Sequence, residues 1–224
     1  MFHKVEKHVR GDGSLPPLAK PSAIHMGTNG DSKTLNVYAS MASEYAAMAK
    51  EYENDPSLSD FIARMKKGGH VLDLGCGPGW AAARMAAAGL LVDAVDAVPE
   101  MVEMAARFPG VRGRLGTFED VSGCGLYEGI WANFSLLHAS RPKLPHYLAK
   151  LREALKPAGL LHMGMKTGSG SKRDRLGRLY TYVAVNELNE MLMQAGFSHE
   201  CTRTGSGKGL DGTTAPWVTI LSRR

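Results

Sequence analysis

One stretch of the sequence combines carboxylates with closely spaced glycines. Asp73 precedes Gly75, Gly77 and Gly79 in the segment VLDLGCGPGW, and a second carboxylate, Asp96, follows 23 residues after Asp73. Glycine lacks a Cβ and adopts positive φ without steric cost, so this loop can turn sharply and leave bare backbone for a ligand. A carboxylate at the end of the next strand can accept both hydroxyl hydrogens of a ribose.

The spacing separates two classes of ligand. A dinucleotide-binding loop has the pattern G-x-G-x-x-G, whose third glycine would fall at position 80, but the chain has Trp80 there. The carboxylate of Asp73 would repel a pyrophosphate and attract an amino group. These residues therefore favour a nucleoside that carries a cationic amino acid over NAD.

The elements that must position these residues alternate along the chain. Apolar segments such as HVLDLG, LLVDAVDA and GIWANFSLLH predict strands, and the segments between them predict helices. Helices between buried strands imply parallel crossovers, whereas the last two strand segments, SHECTRT and APWVTILSR, have no helix between them. We therefore expect a three-layer α/β fold with a doubly wound, mainly parallel seven-stranded sheet and a C-terminal antiparallel hairpin.

The chain divides into a tail and one large domain. Residues 1–33 mix prolines, glycines and charges without periodicity, which predicts a flexible tail. From residue 34, LNVYASMASEYAAMAKEYE has the apolar spacing of one amphipathic helix, and LSDFIARMKKG predicts a second helix that ends at Gly68. We expect the domain to span residues 34–224.

Composition and cysteine use exclude several classes of protein. The 224 residues are 44% hydrophobic but contain no apolar run near the roughly 20 residues that a membrane helix needs. Three widely spaced cysteines, Cys76, Cys124 and Cys201, predict neither a disulfide framework nor a zinc site. We expect a reducing, cytoplasmic setting, no metal and no membrane partner.

Most of the net charge of +5 lies in one segment. Between residues 166 and 178 a single acid, Asp174, accompanies the basic residues Lys166, Lys172, Arg173, Arg175 and Arg178. Either this segment is a solvated charged loop or it attracts an anion.

The motifs resemble those of a known family. VLDLGCGPG at 71–79 and VDAVDAVPEMVEMA at 92–105 are similar to the first two motifs of class I S-adenosylmethionine-dependent methyltransferases. The resemblance continues through GTFED, GIWANFSLLH and LREALKPAGLLHMGMK, and it covers the chain from about residue 35 to the C-terminus. It implies a Rossmann-like methyltransferase fold, S-adenosylmethionine as cofactor and S-adenosylhomocysteine as product.

The resemblance also implies where the cofactor binds. The glycine loop would approach the methionine part, Asp73 would lie beside its amino group, and Asp96 would hold the ribose. An acid often meets the adenine amino group in the family, but Thr117 and Phe118 occupy that place here. The cofactor-binding residues that we expect are Tyr45, Asp73, Gly75, Cys76, Gly77, Gly79, Asp96, Ala97, Met101, Thr117, Phe118, Asn133 and Phe134.

The sequence says less about where the methyl acceptor binds than about where the cofactor binds. Methyl transfer from a sulfonium depends mainly on placement of the acceptor, and it needs a general base only when the acceptor must lose a proton. His138 follows the fourth predicted strand, either as such a base and substrate contact or as a structural histidine. In the family a tyrosine-bearing helix often covers the cofactor, so we expect residues 34–68 to form lid helices, with Tyr38 and Tyr45 in the pocket or in the core.

The basic segment 166–182 is expected to be a mobile loop that covers the site and binds an anionic acceptor. The substrate-binding residues that we expect are Tyr38, His138, Lys166, Arg173, Arg178 and Tyr180. Two alternatives remain: a methyltransferase acting on RNA or protein, and a protein that binds S-adenosylmethionine without transferring its methyl group. We expect a monomer or homodimer with a small-molecule acceptor and no nucleic acid.

Overall fold

The computed structural model describes residues 30–49 and 55–224. The predicted N-terminal tail lies outside these residues up to residue 29. Helix α1 begins at Ser32, and Asp31 is its N-cap, accepting a hydrogen bond from the Thr34 amide at 2.9 Å. Regular structure therefore begins slightly before the predicted domain boundary at residue 34.

Two N-terminal helices replace the single one that the apolar spacing predicted. α1 spans Ser32–Ser40 and α2 spans Ala42–Ala49. They are separated at Met41, whose φ of −116° and ψ of 25° leave helical geometry. The end of the predicted helix, including Tyr52, lies outside the described residues. α3 spans Pro56–Ala63 and ends before the predicted stop at Gly68.

The described strands and remaining helices alternate as the sequence indicated. The strands are β1 (His70–Leu74), β2 (Leu91–Asp96), β3 (Val111–Leu115), β4 (Tyr127–Asn133), β5 (Leu155–Lys166), β6 (Ser171–Arg173), β7 (Leu179–Thr181), β8 (Ser198–Lys208) and β9 (Thr214–Arg223). The helices are α4 (Trp80–Ala87), α5 (Pro99–Ala105), α6 (Leu144–Ala154) and α7 (Val185–Gln194).

The main sheet has seven strands in the order β3-β2-β1-β4-β5-β9-β8. The first five strands of the order pair in parallel, and β9 is antiparallel to both β5 and β8. This arrangement confirms the predicted fold. No helix within the described ranges is long and apolar enough to cross a membrane.

The sheet is covered on both faces because successive strand residues point to opposite sides. In β1, Val71 belongs to a core cluster with Phe61 of α3 and Met85 of α4. The next residue, Leu72, belongs to a second cluster with side chains of α6 and α7, including Leu148. The uninterrupted apolar run of β1 is thus explained by burial on two faces.

The basic segment folds as an antiparallel β-hairpin rather than the mobile loop that its glycines and serines predicted. β6 and β7 pair through Ser171 with Thr181 and through Arg173 with Leu179. The Leu179 amide donates a hydrogen bond to Thr34 Oγ1 of α1 at 2.8 Å. Contacts with α1 therefore fix a segment whose local sequence favours disorder.

Candidate functional site

A cavity of about 300 Å³ lies at the carboxyl ends of β1 and β4, where the strand order reverses. Ligands bind at this position in open α/β sheets. The volume is at the lower end of the range for small-molecule sites. The predicted residues on the cavity wall are Tyr38, Tyr45, Gly75, Gly77, Asp96, Ala97, Met101, Thr117, Phe118, Asn133, Phe134 and His138.

The glycine loop presents bare backbone to the cavity. Gly75 has a φ of +73° and Gly77 a φ of +52°. A Cβ on Gly75 would lie 2.3 Å from Ser135 Cβ, and a Cβ on Gly77 would lie 3.2 Å from Tyr45 Cε1. Gly75 therefore requires glycine, whereas at Gly77 the positive φ favours glycine and a Cβ would have to displace the Tyr45 ring slightly.

Three residues predicted to bind the cofactor lie behind this wall. Asp73 is buried and accepts a hydrogen bond from the Ala82 amide in the first turn of α4. Gly79 has a φ of +89°, and a Cβ there would lie 2.6 Å from Ala105 Cα, so this glycine lets α4 pack on α5. Cys76 is also buried, and burial raises the pKa of its thiol. These three residues lie off the cavity wall and support the loop from behind, and their roles toward the cofactor stay predictions.

Asp73 nevertheless keeps an unsatisfied oxygen close to the loop. Its Oδ2 is buried and has no hydrogen-bond partner among the described residues. Burial, and then the nearby Asp96 carboxylate, raise the pKa of Asp73 to about 7. A cation near this carboxylate would favour its ionised form.

Asp96 lies on the cavity wall with both oxygens oriented by backbone. Its Oδ2 accepts a hydrogen bond from the Gly77 amide and its Oδ1 accepts one from the Val98 amide, each at 2.9 Å. Burial raises the pKa of Asp96 although these hydrogen bonds oppose the rise. The Ala97 amide also bonds this carboxylate, and because a carboxylate has about four acceptor positions it retains capacity for a ligand hydroxyl.

The segment after β3 turns its acid away from the cavity. A capping box at Thr117 fixes the short 3₁₀ turn Phe118–Asp120. Glu119 Oε1 accepts hydrogen bonds from Lys143 Nζ at 3.2 Å and from the Tyr147 hydroxyl at 3.1 Å. Glu119 is therefore bonded to Tyr147 of α6 and to Lys143, the residue before α6. The cavity wall here is formed by Thr117 and Phe118, as the sequence indicated.

The backbone at the end of β4 is strained. Phe134 has a φ of +56°, which costs a residue other than glycine about 1–2 kcal/mol. Before it, Asn133 Oδ1 accepts a hydrogen bond from His162 Nε2 at 3.0 Å. After it, Ser135 lines the cavity with a buried Oγ that has no partner among the described residues. Such strain is found where surrounding structure fixes a functional segment.

His138 bonds protein atoms through both ring nitrogens. Since a carbonyl only accepts, Nδ1 donates to Leu179 O at 2.7 Å, and the lone pair on Nε2 accepts a hydrogen bond from the Tyr38 hydroxyl at 2.9 Å. Burial and the charges of Arg178 and Lys166 lower the pKa of His138 to about 4. The ring is therefore neutral with its lone pair engaged, which favours the structural alternative over the predicted general base.

The two arginines expected to bind an anionic acceptor are each paired with an aspartate. Arg178 is buried, and its Nε and Nη2 donate to Asp174 Oδ2 at 2.9 and 2.7 Å. Its Nη1 donates to the Tyr38 hydroxyl at 2.9 Å. Arg173 donates from both Nη atoms to Asp31, each at 2.8 Å. Neither arginine lines the cavity, and contact of either one with an acceptor stays a prediction.

The other two basic-segment residues also lie off the wall. Lys166 Nζ sits 4.0 Å from the centre of the Tyr180 ring, and burial lowers the pKa of Lys166. Tyr180 is buried and packs against the His138 ring, with 4.7 Å between the ring centres. These residues support the wall that His138 forms, whereas the sequence predicted that they would contact a substrate.

The sequence missed several residues of the wall. Among them are Asp31, Ser135, Lys143 and Leu179. Ser135 had a usable signal, because it follows a strand whose carboxyl end lies at the binding edge of the sheet. Asp31 and Leu179 reach the cavity through contacts between distant parts of the chain, which local patterns do not carry.

Comparison with known proteins finds one matching family and several structures of similar fold. Residues 71–159 match a family described as a methyltransferase domain. Solved structures of similar fold include a 1,6-didemethyltoxoflavin-N1-methyltransferase from Burkholderia thailandensis with bound 1,6-didemethyltoxoflavin and S-adenosylhomocysteine (TM-score 0.72, 22% identity, 86% of this chain and 88% of that chain).

Two further structures share the fold. One is an S-adenosylmethionine-dependent methyltransferase from Methanosarcina mazei (TM-score 0.64, 17% identity, 75% of this chain and 97% of that chain). The other is the [4+2]-cyclase SpnF (TM-score 0.60, 19% identity, 75% of this chain and 80% of that chain). No curated protein matches the chain.

Proposed function

We propose that this chain, whose residues 71–159 match a methyltransferase domain family, transfers a methyl group from S-adenosylmethionine to a small-molecule acceptor. The observation that carries the proposal is the position of Asp96 on the cavity wall, beside the bare backbone of Gly75 and Gly77. S-adenosylhomocysteine is the product of such a transfer.

The residues of the cavity fit this cofactor. Asp96 would accept hydrogen bonds from the ribose, and the glycine backbone would lie along the methionine part. The buried Asp73 carboxylate would favour the nearby positive amino group. Met101 and Phe118 provide apolar surface for the adenine. The bound cofactor supplies a methyl group on a positively charged sulfur, which is already activated toward a nucleophile.

The protein's own contribution is placement of the acceptor and exclusion of water. α1 covers the cavity and is bonded to the hairpin through Thr34 and to the β4 end through Tyr38. His138 fixes this wall, since both of its nitrogens bond protein atoms. The reaction then depends on alignment of the acceptor with the methyl group and requires no catalytic triad.

A small-molecule acceptor is favoured over RNA or protein. The cavity of about 300 Å³ is compact. The basic segment, which was the support for an RNA substrate, has Arg173 and Arg178 paired with aspartates. The Burkholderia enzyme of similar fold holds a bound small molecule, 1,6-didemethyltoxoflavin. The same ion pairs remove the support for an anionic acceptor.

Calorimetric titration with S-adenosylmethionine, S-adenosylhomocysteine and NAD tests the cofactor. We expect the first two to bind and NAD not to bind. Asp96→Ala removes charge-assisted hydrogen bonds of about 1.5–3 kcal/mol each, so with two of them lost affinity for S-adenosylhomocysteine should fall by more than roughly 100-fold. Glu100→Ala is the control, because Glu100 is exposed and lies off the cavity wall. Full affinity in Asp96→Ala would rule out this cofactor site.

A transfer assay then separates the proposed enzyme from its alternatives. Labelled S-adenosylmethionine is incubated with the protein and with pools of metabolites, RNA or protein. We expect label in the metabolite pool and none in the other two. Label in RNA or protein would replace the small-molecule acceptor, and cofactor binding without any transfer would indicate a binding protein.

We also propose the cytoplasmic setting and the domain organisation that the sequence indicated. The three cysteines are free of disulfides, which suits a reducing cytoplasm. Residues 34–224 would act as one domain, as a monomer or homodimer, with 34–68 as its lid helices. Sedimentation at several protein concentrations measures the oligomeric state.

A further inference from the structure

The charged groups at one end of the cavity are already neutralised. The wall that we call the lid end is formed by Asp31, Tyr38, His138, Ala139 and Leu179. Its acid, Asp31, accepts two hydrogen bonds from Arg173, which lowers the pKa of Asp31 below its ordinary value. Lys143, the cation on the adjoining wall, pairs with Glu119 at 3.2 Å. An ionic ligand would have to compete with these pairs.

The polar groups of the lid end are also bonded to one another. The Tyr38 hydroxyl donates to His138 Nε2 and accepts from Arg178 Nη1, each at 2.9 Å. His138 Nδ1 donates to Leu179 O, and the remaining Arg178 donors bond Asp174. Among the described residues of this wall, the network leaves no cation for an anionic ligand and no unpaired carboxylate for a cationic one.

The remaining surface of the lid end is aromatic and aliphatic. The Tyr38 ring meets the Tyr45 ring edge-on, with 5.1 Å between centres and 74° between planes. It meets the His138 ring in the same manner at 5.3 Å. Leu35 of α1 lines the cavity beside them. Rings arranged in this way pack well against another flat ring, by offset stacking or edge-to-face contact.

Building on the methyl transfer proposed above, we propose that the acceptor is an uncharged planar aromatic molecule with a nitrogen or oxygen nucleophile, held at the lid end by ring and apolar contacts. Burial of an ion there without a partner would carry a large desolvation cost. In the transfer, the S–CH₃ bond breaks and leaves its electron pair on sulfur. A lone pair of the acceptor nitrogen or oxygen forms the new bond to carbon, and the proton that this atom carried passes to water.

The charge preference of the lid end can be measured without knowing the natural acceptor. Benzamide, benzoate and benzylammonium are benzene derivatives of similar size that are neutral, negative and positive. Each is titrated into protein saturated with S-adenosylhomocysteine, whose sulfur is uncharged, so the measurement reports the preference of the wall itself. We expect benzamide to bind at least tenfold more tightly than either ion.

A matched pair of variants tests that the probes bind at this wall. Ser140 lines the cavity two residues after His138, is exposed and makes no side-chain capping bond. Ser140→Asp should shift the preference toward benzylammonium, and Ser140→Lys should shift it toward benzoate. Both variants should keep the affinity of the parent protein for S-adenosylhomocysteine, because the change is confined to the rim of the lid end.

The outcomes separate this inference from the proposed function. If S-adenosylhomocysteine does not bind, the proposed function itself fails. If it binds while an ion binds as tightly as benzamide, or while none of the three probes binds, the uncharged aromatic acceptor is overturned and the cofactor site stands. An unchanged charge preference in both Ser140 variants would also contradict the inference, because the probes would then lie elsewhere.

Discussion

At the glycine-loop end of the cavity, the buried atoms Asp73 Oδ2 and Ser135 Oγ have no hydrogen-bond partner among the described residues. At the lid end, by contrast, Arg178, Tyr38 and His138 form a continuous network of hydrogen bonds. An unpartnered buried polar group costs about 1–3 kcal/mol, whereas a satisfied one costs little. A polar ligand can remove this cost at Ser135, which lines the cavity, and a positive group can act on the charge of Asp73 from across the wall, whereas the lid end offers no such gain.

This difference explains why the two halves of the site should recognise different chemistry. A cofactor with an amino group, hydroxyls and a carboxylate gains free energy by completing the loop end. An acceptor gains nothing by offering charge to the lid end, because its polar groups are already paired. Recognition there must come from shape and apolar contact, which is consistent with the aromatic wall.

The largest effect is expected from breaking the buried pair at the lid end. Arg178→Met leaves the buried carboxylate of Asp174 without its partner, which in other proteins costs about 3–5 kcal/mol of stability. Urea unfolding measures this loss. Affinity for S-adenosylhomocysteine should change much less than stability, because Arg178 lies off the cavity wall.

A double variant separates the effect of the unpaired charge on stability from the effect of lost packing. Asp174 Oδ1 accepts hydrogen bonds from the Leu176 and Arg178 amides, and asparagine can keep both. The double variant Arg178→Met/Asp174→Asn should therefore recover much of the lost stability. A double variant as unstable as the single one would show that packing of Arg178, and not its charge, holds the lid end.

The two ends also differ in how a glycine substitution would be tolerated. Gly75 at the loop end and Gly177 in the hairpin have φ values of +73° and +93°. Both alanine variants bear about 1–2 kcal/mol of backbone strain. The new Cβ of Gly75→Ala would lie 2.3 Å from Ser135 Cβ, whereas that of Gly177→Ala would lie 2.5 Å from Lys33 Cε, the far end of a flexible side chain.

We therefore expect Gly75→Ala to weaken S-adenosylhomocysteine binding by more than tenfold and Gly177→Ala to leave it unchanged. Calorimetry measures both affinities, and thermal unfolding shows how far each variant is destabilised. Equal loss of cofactor affinity in both variants would mean that the two ends act as one unit, and the comparison between them would not stand.

The sequence was more informative about the loop end than about the lid end, where it indicated Tyr38 and His138 but not their partners, for a physical reason. The loop end is built from neighbours in sequence, since Gly75, Gly77 and Asp96 lie on one strand–helix–strand unit whose pattern is local. The lid end is built from pairs such as Arg173 with Asp31 and Arg178 with Tyr38, which are 142 and 140 residues apart. Composition alone showed the arginines as free charges, and their partners appear only in the folded chain.

A smaller effect is expected from the protonation of Asp73, which lies behind the wall residues. Burial and Asp96 raise its pKa to about 7, so from about pH 4 to 7 the unfolded chain releases this proton before the folded chain does. Stability from this group therefore falls as pH rises through that window. A positive amino group bound nearby would favour ionisation, so cofactor binding at pH 6 should release about one proton.

Calorimetry in two buffers of different ionisation enthalpy counts that proton. Asp73→Asn is the matched control, since it keeps the shape and the acceptor oxygen but cannot ionise. Release of the same number of protons by both proteins would place the linkage on another group, and Asp73 would then be only a support for α4.

The smallest effect on stability is expected from the Arg173–Asp31 pair, which is more exposed than the Arg178–Asp174 pair. Arg173 and Asp31 form two hydrogen bonds of 2.8 Å, a geometry as good as that of Arg178 with Asp174, but their side chains are 41% and 18% exposed. Solvent and salt screen such pairs, so Arg173→Ala should change stability little, and the change should shrink further at high salt. Urea unfolding at low and high salt measures it. Arg173→Ala could instead lower the free energy of unfolding as much as Arg178→Met at both salt concentrations. Contacts between α1 and the hairpin would then contribute more to stability than burial of charge, and the lid end would depend on its outer contacts.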